Sequence, residues 1–163
     1  MIIRACELEV DFDADGQIDQ QLIYEYDEQG RPIRELTGSV LTSETEYSDD
    51  PRTATRSSYA ADGTLLSQEV STFDDRGIRS RARDDDGDGD VDFTITLDYG
   101  CWEASDETTG PCVVESDSNG DGEIDERTTI EYDSEGRVVL STSETPAAVR
   151  APRDGFRRRR RDR

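Results

Sequence analysis

The sequence predicts an all-β protein, an antiparallel hairpin-repeat meander of about ten strands in one curled sheet. Three observations carry that expectation. Apolar and polar residues alternate with period two in several segments, as in Leu22/Tyr24/Tyr26, Ile95/Leu97/Tyr99 and Thr128/Ile130/Tyr132, which is the signature of strands with one half-buried face. No window shows an apolar period of 3.6 residues over a useful length, so helices should be scarce. Asp- and Gly-containing turn signals interrupt the strand-like segments at short intervals, the usual punctuation of hairpins.

Taken in order, the elements form a repeating unit. Residues 11–19 are an Asp-rich loop, and about eight residues of strand follow, ending at Tyr26. The stretch 31–49 either turns near Gly38–Ser39 or runs as one long strand. A second Asp-rich loop at 84–92 leads through Phe93–Asp98 to Tyr99, and a third at 117–125 leads to Tyr132. Residues 11–37 align without gaps to 117–143, an internal repeat with identical pairs such as Asp11/Asp117, Gly16/Gly122 and Tyr26/Tyr132. A different turn separates the remaining strands, an aromatic residue followed four later by Gly: Tyr26–Gly30, Tyr59–Gly63, Phe73–Gly77 and Tyr132–Gly136. Asp near the turn start with a left-handed Gly at its end suits a hairpin closed by a type I turn.

The three Asp-rich loops share one nine-residue pattern, with acids or amide at positions 1, 3, 5 and 9 and Gly at position 6. They are Asp11, Asp13, Asp15, Gln17 and Asp19; Asp84, Asp86, Asp88, Asp90 and Asp92; and Asp117, Asn119, Asp121, Glu123 and Asp125. Side-chain oxygens at 1, 3, 5 and 9, with a backbone carbonyl at 7, converge on one centre only if the chain turns sharply at the Gly. Clustered carboxylates repel one another unless a hard cation sits among them, and Ca2+ is the cation such oxygen sets take, here up to three ions. Mg2+ tolerates a crowded all-protein cage poorly. The alternative is a set of solvated Asp–Gly turns without metal. An EF-hand is excluded by the residues at loop position 12, which are Leu22, Ile95 and Thr128 where a bidentate Glu is needed. Position 8 (Ile18, Val91, Ile124) is expected to point inward and anchor each loop on the sheet.

Composition narrows the function. The 163 residues carry a formal net charge of −21 with 31% hydrophobic residues, below the ~45–50% usual for globular chains in a count that includes Gly, so a thick core is not expected. Residues 146–163 hold eight Arg and two acids, including five consecutive Arg at 157–161, and form an Arg-rich tail expected to be disordered. Its partner is not identified by its sequence. The body, 1–145, has a net charge of −27 and should repel nucleic acid. The chain has no His and no Lys, which removes the commonest general base and Schiff-base chemistry. No carboxylate pair stands apart from the Asp loops as a glycosidase pair would. All basic residues being Arg also fits a salt-adapted proteome, which would explain acidity but not its spacing. Cys101 and Cys112 bracket a polar stretch and predict a disulfide, hence an oxidising compartment, the alternative being two free thiols; Cys6 is left over. Trp102, between them, is expected to cap the end of the sheet. No apolar segment of signal-peptide or membrane-spanning length is visible.

Two resemblances follow from these motifs. The Tyr-Asp-x-x-Gly-Arg segments, Tyr26 to Arg31 and Tyr132 to Arg137, resemble the YD repeats of Rhs-type bacterial surface and toxin-shell proteins. The Asp loops resemble the calcium loops of integrin-type FG-GAP repeats and, more loosely, thrombospondin type 3 repeats. Tyr59 and Phe73 lack the full Tyr-Asp pair and the Arg, and the repeats are too few to close an Rhs shell. Ile3-Arg4-Ala5-Cys6 loosely resembles a lipoprotein cleavage site, from which Arg4 departs. The resemblances imply an extracellular or cell-surface location. The leading expectation is a non-enzymatic, calcium-binding structural or adhesive module with a surface protein or polysaccharide as partner. The alternatives are a scaffold fragment of an Rhs-like toxin or shell and, more weakly, a carbohydrate-binding or glycan-cleaving protein.

Overall fold

The computed structural model describes residues 4–101 and 110–146. Eleven strands, one more than the sequence count, follow one another in space as they do in sequence: β1 (Arg4–Val10), β2 (Gln20–Tyr26), β3 (Pro32–Thr37), β4 (Val40–Asp49), β5 (Arg52–Tyr59), β6 (Leu65–Asp74), β7 (Gly77–Asp84), β8 (Phe93–Asp98), β9 (Val113–Asp117), β10 (Glu126–Tyr132) and β11 (Val138–Glu144). All neighbours are antiparallel and form one open sheet whose first and last strands are not paired with each other. There is no helix among the described residues. The turn near Gly38–Ser39 is present, so 31–49 is two strands paired with Thr37 opposite Val40. Trp102 and the Arg-rich tail beyond Pro146 lie outside the described residues.

The aromatic-to-Gly signature has a physical explanation in the ladder. The pairing register slips by one residue at Tyr26, Tyr59, Phe73 and Tyr132, each the aromatic that opens such a turn. These bulges twist the hairpin end and leave the turn to close on a Gly of positive φ, 78° at Gly30 and 76° at Gly136. In both Tyr-Asp turns the Asp is the clamp. Asp27 accepts the Arg31 amide at 2.9 Å and its Nε at 2.6 Å, and Asp133 accepts the corresponding groups of Arg137 at 3.0 and 2.8 Å.

The expected one-sided burial holds only in part. In β8 and β10, Ile95/Leu97 and Thr128/Ile130/Tyr132 are half-buried while Thr96, Asp98, Thr129 and Glu131 are exposed. In β2 every residue is half-buried, and in β11 every residue is exposed. The only buried apolar residues among those described are Tyr99 and Cys112. The reason is architectural: one layer has nothing to press its apolar face against, so strand-to-strand contacts must replace a core. They include Arg34 between Glu44 (2.8 Å) and Glu25 (3.8 Å), Thr72 bonded to Ser80 (2.6 Å) and Thr128 bonded to Ser143 (2.7 Å). The exception is the end of the sheet around Tyr99. Its hydroxyl donates to the Ile78 carbonyl at 3.3 Å, and the Cys101–Cys112 disulfide, with Cα atoms 6.0 Å apart, closes the β8–β9 connection beside it. Cys6 is free and exposed in β1, opposite Tyr24.

Because every strand reverses direction, alternate connections emerge at opposite ends of the strands. The three Asp-rich loops join β1 to β2, β7 to β8 and β9 to β10, so all three lie along one rim. The Tyr-Asp turns at 27–31 and 133–137 and the disulfide connection lie along the other.

Candidate metal centre

Each Asp loop is a hairpin end closed by the same main-chain bond. The amide of the position-9 Asp donates to the carbonyl of the residue just before the loop: Asp19 to Val10 at 2.9 Å, Asp92 to Arg83 at 2.8 Å and Asp125 to Ser116 at 2.8 Å. For loops two and three that acceptor belongs to the residue before position 1, as it does in the first. Within each loop the side chains then organise the backbone in one shared scheme. Position 1 accepts from the position-6 Gly amide, Gly16 to Asp11 at 2.9 Å, Gly89 to Asp84 at 2.9 Å and Gly122 to Asp117 at 2.8 Å. Position 3 accepts the amide of position 5 (Asp13, Asp86 and Asn119, 3.0–3.2 Å), and position 5 that of position 7 (Asp15, Asp88 and Asp121, 2.8 Å). Position 9 accepts from the amide of position 2 at 2.7–2.8 Å: Phe12 to Asp19, Asp85 to Asp92 and Ser118 to Asp125. The position-6 glycines sit at φ of 83–97°, where a side chain would be strained.

These bonds wind the loop so that carboxylates meet. In the first loop Asp11, Asp13 and Asp15, and in the second Asp84, Asp86 and Asp88, each bring one oxygen within 4.8 Å of the others, and either triplet could hold a metal ion. The third loop offers an amide, Asn119, in place of the middle carboxylate. Position 7 enters through its amide, and Gln17 also bonds Asp15 through its side chain at 2.9 Å. Asp90 and Glu123 contribute exposed side chains.

Position 8 requires a correction. Ile18 is 51% exposed and Val91 43%, so neither points inward to anchor its loop; only Ile124 is half-buried. The rim of a single-layer sheet has no interior to receive them. What holds the second and third loops instead is close backbone packing. Gly120 lies against the Val91 carbonyl of the second loop, and Gly87 against the Leu65 carbonyl at the start of β6, positions that leave no room for a Cβ. Position 4 was not part of the expected pattern. It carries the visible signal of Gly87 and Gly120 at φ of 76° and 68°.

The electrostatics follow the donors. Burial works against the charge of Asp84, but the amides of Gly89, Gly87, Asp86 and Asp88 outweigh it and hold the carboxyl below its usual range. Ser118, through hydroxyl and amide, does the same for Asp125. Asp84 and Asp117 are both buried at position 1, and each has both oxygens bonded. Asp11 differs: its Oδ1 is buried and has no hydrogen-bond partner. An acceptor-only oxygen shielded from water and from donors is where a cation fits, and an all-oxygen set of this kind suits a hard one.

The fold and rim together define a class: a single-layer antiparallel meander carrying Asp-rich loops at one end of its hairpins. No protein-family model matches the chain, and no curated protein matches it in sequence.

Proposed function

We propose that this chain is a non-enzymatic module of an exported or cell-surface protein, with a structural or adhesive role, whose rim is set by bound Ca2+. The observation that carries the proposal is the shared hydrogen-bond scheme of three loops on one rim, with one buried carboxylate oxygen in the first left without a donor. Calcium is the metal because the ligand set is carboxylate, amide and carbonyl oxygen, with no His or free thiol in the loops. The disulfide supports an oxidising compartment. A surface protein or polysaccharide is the partner class such a module would meet. Without a bidentate Glu, affinity falls near the ~10⁻⁴–10⁻³ M of extracellular modules.

Calorimetric titration of chelator-treated protein with CaCl2, paired with thermal melts, tests this. Up to three ions should bind, and each site at ten times its Kd adds about 1.4 kcal/mol. Absence of binding heat, together with melts that CaCl2 shifts no more than NaCl of equal ionic strength, would refute it.

A further inference from the structure

The two outer strands of the sheet are not equivalent. β11 is paired to β10 on one side only among the described residues, and all seven of its residues are exposed. Val138, Val139 and Leu140 are 57%, 60% and 50% exposed, the one run of three consecutive exposed large hydrophobics among the described residues. A free edge presents unpaired main-chain donors and acceptors, and proteins usually guard such an edge with charge, Pro or a bulge inside the strand. β11 is bulged at Val139, between the pairs Glu131–Leu140 and Tyr132–Val138, but carries no charge and no Pro from Val138 to Ser143, while β1, at the far edge, carries Glu7 and Glu9. The internal repeat says what the guard would exclude. Residues 138–143 of β11 correspond to 32–37 of β3, and β3 is paired on both sides, by β2 and β4. Against β4 it sets Arg34 opposite Glu44, but at the corresponding place β11 has Leu140. β11 thus offers no ion-pair partner at the place where β3 meets an acid.

We propose that β11 pairs antiparallel with β11 of a second copy of this chain, about a two-fold axis at Ser141, continuing the sheet across a dimer. That register sets Ser141 opposite the partner's Ser141 and Leu140 opposite the partner's Thr142, the regular ladder running as far as the bulge at Val139, and no acid faces an acid. The same operation on β1, centred on its middle residue, would set Glu7 against Glu7. The main chain is also oriented for it. The Ile130 amide donates to the Cys112 carbonyl on the β9 side, so the main-chain groups of Thr129 face β11, where Thr142 is the opposite residue. By alternation Thr142 and Glu144 bond to β10, and the groups of Ser141 and Ser143 face outward.

Sedimentation velocity on the full chain carrying Cys6→Ser, which removes the free thiol, tests the dimer over a concentration series. A reversible monomer–dimer equilibrium is expected, and it should tighten from 0.1 M to 1 M NaCl, where screening of two net charges of −21 shortens from about 10 Å to about 3 Å. Ser141→Pro deletes an outward amide without breaking the β10 ladder and should weaken dimerisation at least about tenfold with an unchanged circular dichroism spectrum. Ser141→Asp leaves the backbone intact, sets like charges at the two-fold axis, and should weaken it similarly. A monomer at every concentration and salt, or a dimer that survives Ser141→Asp, overturns the proposal. So does slow amide exchange at Ser141 and Ser143 in a monomer, which would mean that the chain's own residues cover the edge.

Discussion

Among the positions at which the first Asp loop and the second differ, position 4 decides how each loop satisfies its anchor. Position 4 is Gly87 in the second loop and Gly120 in the third, and their amides reach Oδ1 of Asp84 at 2.6 Å and of Asp117 at 2.8 Å. The first loop has Ala14, held at φ 59°, and Asp11 Oδ1 has no donor. The later loops are thus closed by their own amides and packed on neighbouring backbone, while the first stands alone with a shielded charge. Two loops of the same ligand pattern can differ in how far their order depends on metal.

The largest expected effect comes from exchanging the anchor carboxylates for amides in chelator. Asp84→Asn should lower the melting temperature by several degrees, because a neutral oxygen is a weaker acceptor for converging amides and the new NH2 faces other donors. Asp11→Asn should leave it nearly unchanged, since fewer bonds depend on that charge, yet should remove one bound Ca2+ in calorimetry. Equal losses in the two variants would erase the distinction between the loops.

Acid sharpens the same contrast. The amides around Asp84 favour its charged form in the folded chain, so its contribution is complete above the ordinary carboxylate value of 3.8 and is lost as pH falls through the lowered one. Asp84→Asn cannot titrate there. The gap in melting temperature between wild type and Asp84→Asn should therefore be full at pH 6 and close below pH 3.8. A gap that persists at lower pH would mean that the charge of Asp84 is not what holds the loop.

The smallest effect expected is at position 4 of the first loop. An Ala in the left-handed region costs about 1 kcal/mol, so Ala14→Gly should raise the melting temperature by about 2–4 °C in chelator. If the Gly amide then reaches Asp11 as in the other loops, the additional gain from Ca2+ should shrink. Destabilisation by Ala14→Gly would show that the Ala conformation is not strained.

Much of this was legible in the sequence because it is local. Period-2 alternation, the Asp loops and the aromatic-to-Gly turns each depend on residues within one hairpin, and they located most of the connections between which the strands run. The internal repeat placed the first and third loops in equivalent positions. What could not be read was whatever depends on a second layer. Ile18 and Val91 have the pattern of loop anchors, yet nothing lies beneath them to receive the side chains. The bulge at each turn-opening aromatic, and the packing of Gly120 on Val91, come from neighbouring strands rather than from the motif itself.

A meander in which each strand meets only the strands before and after it in sequence also has a mechanical character. Contacts of short sequence separation close small loops, so folding needs no long-range search and should be fast for a β protein. With no common core to couple distant hairpins, tension applied across the strands opens them one after another, as a zipper does, at low and nearly constant force. Ca2+ at the rim would then work as rivets at three of the hairpin ends, and the disulfide between Cys101 and Cys112 as a stop through which the β8–β9 connection cannot be pulled straight. Tension would pass through that bond and leave the connection between Cys101 and Cys112 unextended until it was reduced, while the strands on either side still separate.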